Sequence, residues 1–201
     1  MAKRSLKCDA AERAGKPGDR VVLGITGASG AIFADHFAKR HSGEKYIIPT
    51  RWGKQVFENE LGKPIESLSL HVNKIYDEDD LFVPFASGSI SFGALVILPC
   101  SVSTMAKIAH GISDNLLTRV AQVALKEKRK LIIGLRETPL STIALRNAAI
   151  LSESGAIIFP LCPAFYFKPT GVDDLVNSMI DRLCALLGEK QGRGFLAEEL
   201  E

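Results

Sequence analysis

"VVLGITGASGAIFADHF", Val21 to Phe37, is an apolar run of strand length that breaks into small residues and resumes with apolar positions at helical spacing. A glycine-rich turn between a strand and a helix presents backbone N–H groups and the positive end of a helix dipole, a setting for phosphate. Two common owners of such a phosphate are disfavoured. Thr26 stands where the dinucleotide fingerprint G-x-G-x-x-G needs its second glycine, and no Gly-Lys-Ser/Thr follows to make a P-loop. On their own, Gly27 and Gly30 are equally readable as a tight turn with close helix packing, and Ser29 as a helix N-cap.

The same alternation repeats outward from this stretch. "KYIIPT" precedes "WGKQVFENELG", and "ALVILPC" precedes "TMAKIAHG" and "NLLTRVAQVALKEK". "KLIIGLR" precedes "PLSTIALRNAAILSES", and "AIIFP" leads to the late helix "GVDDLVNSMIDRLCALLG". Strands that read as continuous apolar runs are buried on both faces, so the expected fold is α/β, a three-layer Rossmann-like (flavoprotein-type) open sheet, mainly parallel, with helices on both faces. The stretch from Gly62 to Ser91, with its acidic "YDEDD" and its "ASGS" turn, reads as a connection over one edge containing at most a short strand. The expected organisation is a flexible leader over 1–19, a single domain over 20–188 and a tail over 189–201 that is mobile or reaches a neighbouring subunit.

With 201 residues, 46% hydrophobic and 24% charged, the chain is long enough for one real core. A formal net charge of +2, with Lys and Arg scattered, argues against nucleic acid or a membrane surface as partner. Cys8, Cys100, Cys162 and Cys184 have neither zinc-site spacing nor disulfide density, which suits a reducing cytoplasm. His36, His41, His71 and His110 likewise have no ligand-like spacing, so no metal is expected. No apolar run approaches membrane-spanning length.

Ligands of open α/β sheets sit outside the carboxyl ends of the strands. Thr50 follows the second strand, where an NAD-binding chain usually offers an acid, and it suits a single phosphate. "PCSVST", Pro99 to Thr104, places hydroxyls at Ser101, Ser103 and Thr104 on a helix start, where capping alone accounts for one of them. "GLRETPL" delivers Arg136 and Glu137 side by side, with Pro139 expected to open the next helix at its first turn. "PLCPAFYFKP", Pro160 to Pro169, is a loop whose Phe165, Tyr166 and Phe167 suit an apolar pocket wall or an interface. Trp52 and His110 read at least as well as packing or capping residues.

Together, "GITGASGAIFA", "ASGSI", "LPCSVSTMAKIAHGISDNLLTRVAQVALKEKRKLI", "RETPLSTIALRN" and "PAFYFKPTGVDDLV" resemble the UbiX/Pad family of flavin prenyltransferases, over about Arg20 to Gly188. The resemblance implies transfer of a dimethylallyl group from dimethylallyl monophosphate to N5 and C6 of reduced FMN. It also implies a product used by a UbiD-type decarboxylase, no metal, and a large homo-oligomer, typically of twelve chains. Carried over motif by motif, it assigns Gly27, Ala28, Ser29, Thr50, Ser101, Val102, Ser103, Thr104 and Arg136 to FMN. Lys126, Arg136, Glu137, Tyr166 and Arg182 fall to the prenyl phosphate, and Glu137, Ser29 and Glu60 to catalysis. Arg119 is expected near the phosphate end or at a subunit contact.

The sequence departs from that pattern at "TRWG", where many relatives carry small residues, at "STIAL", which replaces a commoner His-containing stretch, and in the tail. The rival readings are a flavin-dependent cysteine decarboxylase and a non-catalytic FMN carrier or decarboxylase subunit. "PCSVST" in place of an Asn-containing motif, and the absence of a Pro-x-Met-Asn segment, count against the first. Retention of Lys126, Glu137, Tyr166 and Arg182 counts against the second.

Overall fold

A computed structural model describes residues 20–190. Six parallel strands form one sheet in the order β3-β2-β1-β4-β5-β6. They are β1 (Val21–Ile25), β2 (Lys45–Pro49), β3 (Lys74–Ile75), β4 (Ala94–Cys100), β5 (Lys130–Leu135) and β6 (Ile157–Pro160). The helices are α1 (Ala31–Arg40), α2 (Arg51–Leu61), α3 (Val102–Ala109), α4 (Leu116–Lys126), α5 (Thr142–Glu153) and α6 (Val172–Leu186). Every residue of β1 and β4 is buried, as continuous apolar runs require of the sheet's centre.

Strand pleating sorts these residues into two cores. Val22, Leu95, Ile97, Leu131 and Ile133 face α3, α4 and α5, where α4 contributes Leu116, Leu117, Val120, Ala121, Val123 and Ala124 at helical spacing. Val21, Leu23, Ile25, Val96, Leu98 and Ile132 face α1, α2 and α6. Phe37 of α1 and Phe57 of α2 are fully buried in this second layer, where each stabilises the fold by roughly 2–3 kcal/mol.

The region between Gly62 and Ser91 holds the two-residue edge strand β3 and two short 3₁₀ turns, Ile65–Leu70 and Pro84–Ala86. One expectation changes here. Pro139 does not open α5: the helix starts at Thr142, because the Ser141 hydroxyl accepts from the Ala144 N–H at 3.2 Å and defines the cap. Glu189, the first residue of the expected tail, docks on its own chain. Its carboxylate accepts from the Ser42 N–H at 3.0 Å and from the Ser42 hydroxyl at 3.2 Å. The leader over 1–19 and the remainder of the tail beyond residue 190 lie outside the described residues. Among the described residues, no helix is long and apolar enough to cross a membrane.

Candidate active site

The strand order reverses between β1 and β4, whose carboxyl ends lie side by side. Buried Thr26 ties them together: its hydroxyl donates to the Pro99 carbonyl at 2.9 Å and accepts from the Ser101 N–H at 2.8 Å. The turn "GASG" then leaves β1. Gly30 has φ of 109°, a left-handed conformation natural to glycine. A Cβ at Gly27 would lie 2.6 Å from Trp52 Cβ, so only glycine lets the turn and the start of α2 approach so closely.

Ser29 is not the N-cap of α1; Gly30 is, with no side-chain cap of its own. The capping anion comes from Glu60, whose carboxylate accepts from the Gly30 N–H at 2.9 Å and the Ala31 N–H at 2.8 Å. Burial pushes the Glu60 carboxyl up, but hydrogen bonds from Ser29, Ala31 and Gly30 and the nearby Arg136 charge outweigh that and hold it below the usual range. The Gly30 and Ala31 N–H groups thus meet a carboxylate of the chain, and Ser29, Glu60 and Arg136 become one cluster.

Thr50 caps α2, its hydroxyl accepting from the Gly53 N–H at 3.0 Å. Ser101 caps α3, accepting from the Thr104 N–H at 3.3 Å and donating to the Thr104 hydroxyl at 3.1 Å. Ser103, exposed, borders two cavities. One, of about 290 Å³, is polar and is lined by Gly27, Thr50, Trp52, Ser101, Thr104, Glu78, Lys107 and Asn115 among others. The other, of about 450 Å³, is mainly apolar and is lined by Val102, Ala106, Glu137, Pro139, Ile143, Ala144 and Asn147 among others. Ala28 is buried in the turn beside the first of these.

Sequence reading did not single out Glu78 within "YDEDD". Its carboxylate accepts from the Asn115 side-chain amide at 2.8 Å and from the Arg51 N–H at the start of α2. The available signal was Asn115 itself, whose capping box with Thr118 opens α4 and orients it toward the acidic loop. Cys100, at the end of β4, is no nucleophile: burial pushes its thiol up to about 12. His110 closes α3 as its C-cap, and its Nε2 lies 3.1 Å from Asn147 Oδ1.

The remaining candidates are dispersed in one chain. Tyr166 lies in the loop after β6, its ring edge-on to Phe167 with centroids 5.7 Å apart. Lys126 ends α4 just before β5 begins, paired with Glu127, whereas Glu137 follows the end of β5. Arg182 is exposed beside Asp181, which pairs with Arg40 at the end of α1, 3.2 Å away. Lys126 and Arg182 therefore belong to the amino edge of the sheet, opposite Arg136 and Glu137. Arg119 donates to the Ala86 carbonyl at 3.1 Å and holds the "ASGS" turn.

A model of the flavoprotein family matches residues 9–183. The flavin prenyltransferase UbiX of Thermoplasma acidophilum is 45% identical over 170 residues, covering 84% of this chain and 94% of that protein. This chain belongs to the flavoprotein family, among its UbiX flavin prenyltransferases. The crystal structure of AnUbiX (PadA1) with FMN and dimethylallyl pyrophosphate superposes with a TM-score of 0.84 at 32% identity, covering 88% of this chain and 98% of that one. A dodecameric FMN-dependent UbiX-like decarboxylase from Escherichia coli O157:H7 gives the same TM-score, identity and coverage. The six-stranded parallel sheet with helices on both faces is thus the fold of these UbiX structures.

Proposed function

We propose that this UbiX-family chain is a transferase that joins a dimethylallyl group, from dimethylallyl monophosphate, to N5 and C6 of reduced FMN. The observation that carries the reading is Ser103, which borders both a polar cavity beside Thr50 and Gly27 and an apolar cavity beside Glu137. FMN has the matching two ends, a phosphate on a ribityl chain and a flat, largely apolar ring system. Gly27, Ala28, Ser29 and Thr50 would receive the phosphate end, and Ser101, Val102, Ser103, Thr104 and Arg136 the ring and its polar rim. Reduced FMN is here the acceptor, and the chemistry it supplies is a nucleophilic nitrogen followed by a ring carbon.

The chain's own residues must hold a leaving phosphate and move protons. Arg136 supplies positive charge where the phosphate departs, and Glu137, exposed on the apolar cavity, lies where a proton relay is needed. Ser29 and Glu60 form a hydroxyl–carboxylate pair beside Arg136. Lys126, Tyr166 and Arg182 complete the prenyl phosphate site. Because Lys126 and Arg182 sit at the opposite edge from Glu137 in one chain, they reach a shared site only from neighbouring copies, consistent with a homo-oligomer of the dodecameric kind. The prenylated flavin would pass to a UbiD-type decarboxylase.

The test is incubation of the protein with reduced FMN and dimethylallyl monophosphate under anaerobic conditions, followed by mass spectrometry of the flavin. A gain of one prenyl unit is expected. An unchanged flavin mass, with longer donors and the diphosphate failing too, would overturn the reading.

A further inference from the structure

Away from the carboxyl edge, the fold closes over a second group of side chains that spacing along the chain gave no reason to join. His41 follows α1, Cys184 lies in the last turn of α6, and Glu189 comes just after that helix. One nitrogen, one sulfur and one carboxylate oxygen from these three lie within 4.8 Å of one another. His41 is 6% exposed and Cys184 fully buried. His41 Nδ1 meets Glu189 Oε1 at 2.5 Å, whereas the buried Nε2 is left without a hydrogen-bond partner. A buried imidazole nitrogen without a partner is costly, and a metal ion is a partner that would satisfy it.

We propose that His41, Cys184 and Glu189 bind one divalent ion of the zinc class at the amino edge of the sheet. The donor set is imidazole, thiolate and carboxylate, the mixture zinc accepts, with a fourth position left for water. The charges balance: Cys184 loses its proton, a sulfur–metal bond forms, and thiolate plus carboxylate offset the two charges of the ion. Other charged groups face the site. Arg40 is shared between Asp181 and Glu189, and the Lys45 ammonium donates to the His41 and Gly43 carbonyls, so neither occupies a ligand position. Seating an ion with metal–ligand lengths of about 2.0–2.3 Å requires the His41 ring to move off Glu189 by roughly 1 Å. The ion would clasp the end of α6 to the end of α1, two residues along α6 from Arg182 and outside the cavities that Glu137 and Thr50 line.

The experiment uses the full chain, stripped of metal with a chelator and titrated with Co²⁺ as a spectroscopic stand-in for zinc. The expected result is a thiolate-to-cobalt charge-transfer band saturating at one ion per chain, with one proton released and the band erased by added Zn²⁺. At a hundredfold excess of Zn²⁺ over Kd, the melting temperature should rise by roughly 5–10 °C. Cys184→Ser should abolish the band. Glu189→Gln, at a largely buried position with its side chain 18% exposed that keeps its Ser42 contacts, should weaken binding about tenfold or more, while exposed His71→Ala changes nothing. A folded wild-type chain with no band at millimolar Co²⁺, a band that survives Cys184→Ser, or Glu189→Gln binding as tightly as wild type would overturn the proposal.

Discussion

The two edges of one sheet use charged groups in opposite ways. At the carboxyl edge, helix starts, hydroxyls and carboxylates open onto cavities, and Arg136 and Glu137 are exposed. At the amino edge, His41, Lys45 and Cys184 are buried and their neighbours turn inward. The difference follows from strand direction. Every βα turn of a parallel sheet delivers helix N-termini to the carboxyl edge, which gathers unpaired N–H groups there, while the amino edge collects helix C-termini and is closed by packing.

The sharpest way to break the comparison is to ask whether the edges meet across chains. Glu137→Gln and Lys126→Ala should each lower prenyl transfer by at least about 100-fold while leaving the fold intact, since both side chains are exposed. Co-assembled, the two variants should recover about a quarter of wild-type activity, because some sites then draw both intact residues from different copies. No recovery would show that the residues act within one chain.

Next in size, Glu60→Gln should slow transfer by about 10–100-fold, mainly in kcat, because it weakens the anion that holds Ser29 and the start of α1. An equal change in KM alone would assign Glu60 to ground-state binding.

Between the edges, buried Asp35 accepts from Lys39 and Lys63, each at 2.6 Å. Burial pushes its carboxyl up, and the two lysines more than reverse that, leaving it depressed. Its contribution is therefore present above the unfolded-state value and is lost as pH falls through the folded one. Asp35→Asn should cost about 1–2 kcal/mol at pH 7, limited by solvent reaching both lysines, and the gap from wild type should narrow below about pH 4. Urea unfolding at the two pH values checks this. Smallest of all, Lys54→Ala removes the exposed pair with Asp77 and should shift stability by no more than about 0.5 kcal/mol.

The legibility of the molecule divides along the same lines. β1, β4 and the helices after them were readable because apolar period and glycine punctuation are local. Thr50 and Ser101 were readable as strand-end hydroxyls, and both became caps facing the polar cavity. The start of α5 was misplaced because Pro139 and Ser141 compete as start signals, and only the bond from Ala144 shows which one sets the helix. Glu78 was hidden among four acidic residues, and its partners Arg51 and Asn115 are far away in sequence.

By itself, the sequence determined the parallel α/β sheet and the flavin-linked family, since strand burial, turn chemistry and motif identity are properties of short segments. Tertiary structure alone decided that the Glu60 carboxylate meets the start of α1, that Lys126 and Arg182 stand opposite Glu137, and that His41, Cys184 and Glu189 converge. Those facts depend on how helices pack across the sheet, and contacts between residues on separate elements leave no period or spacing in a single chain.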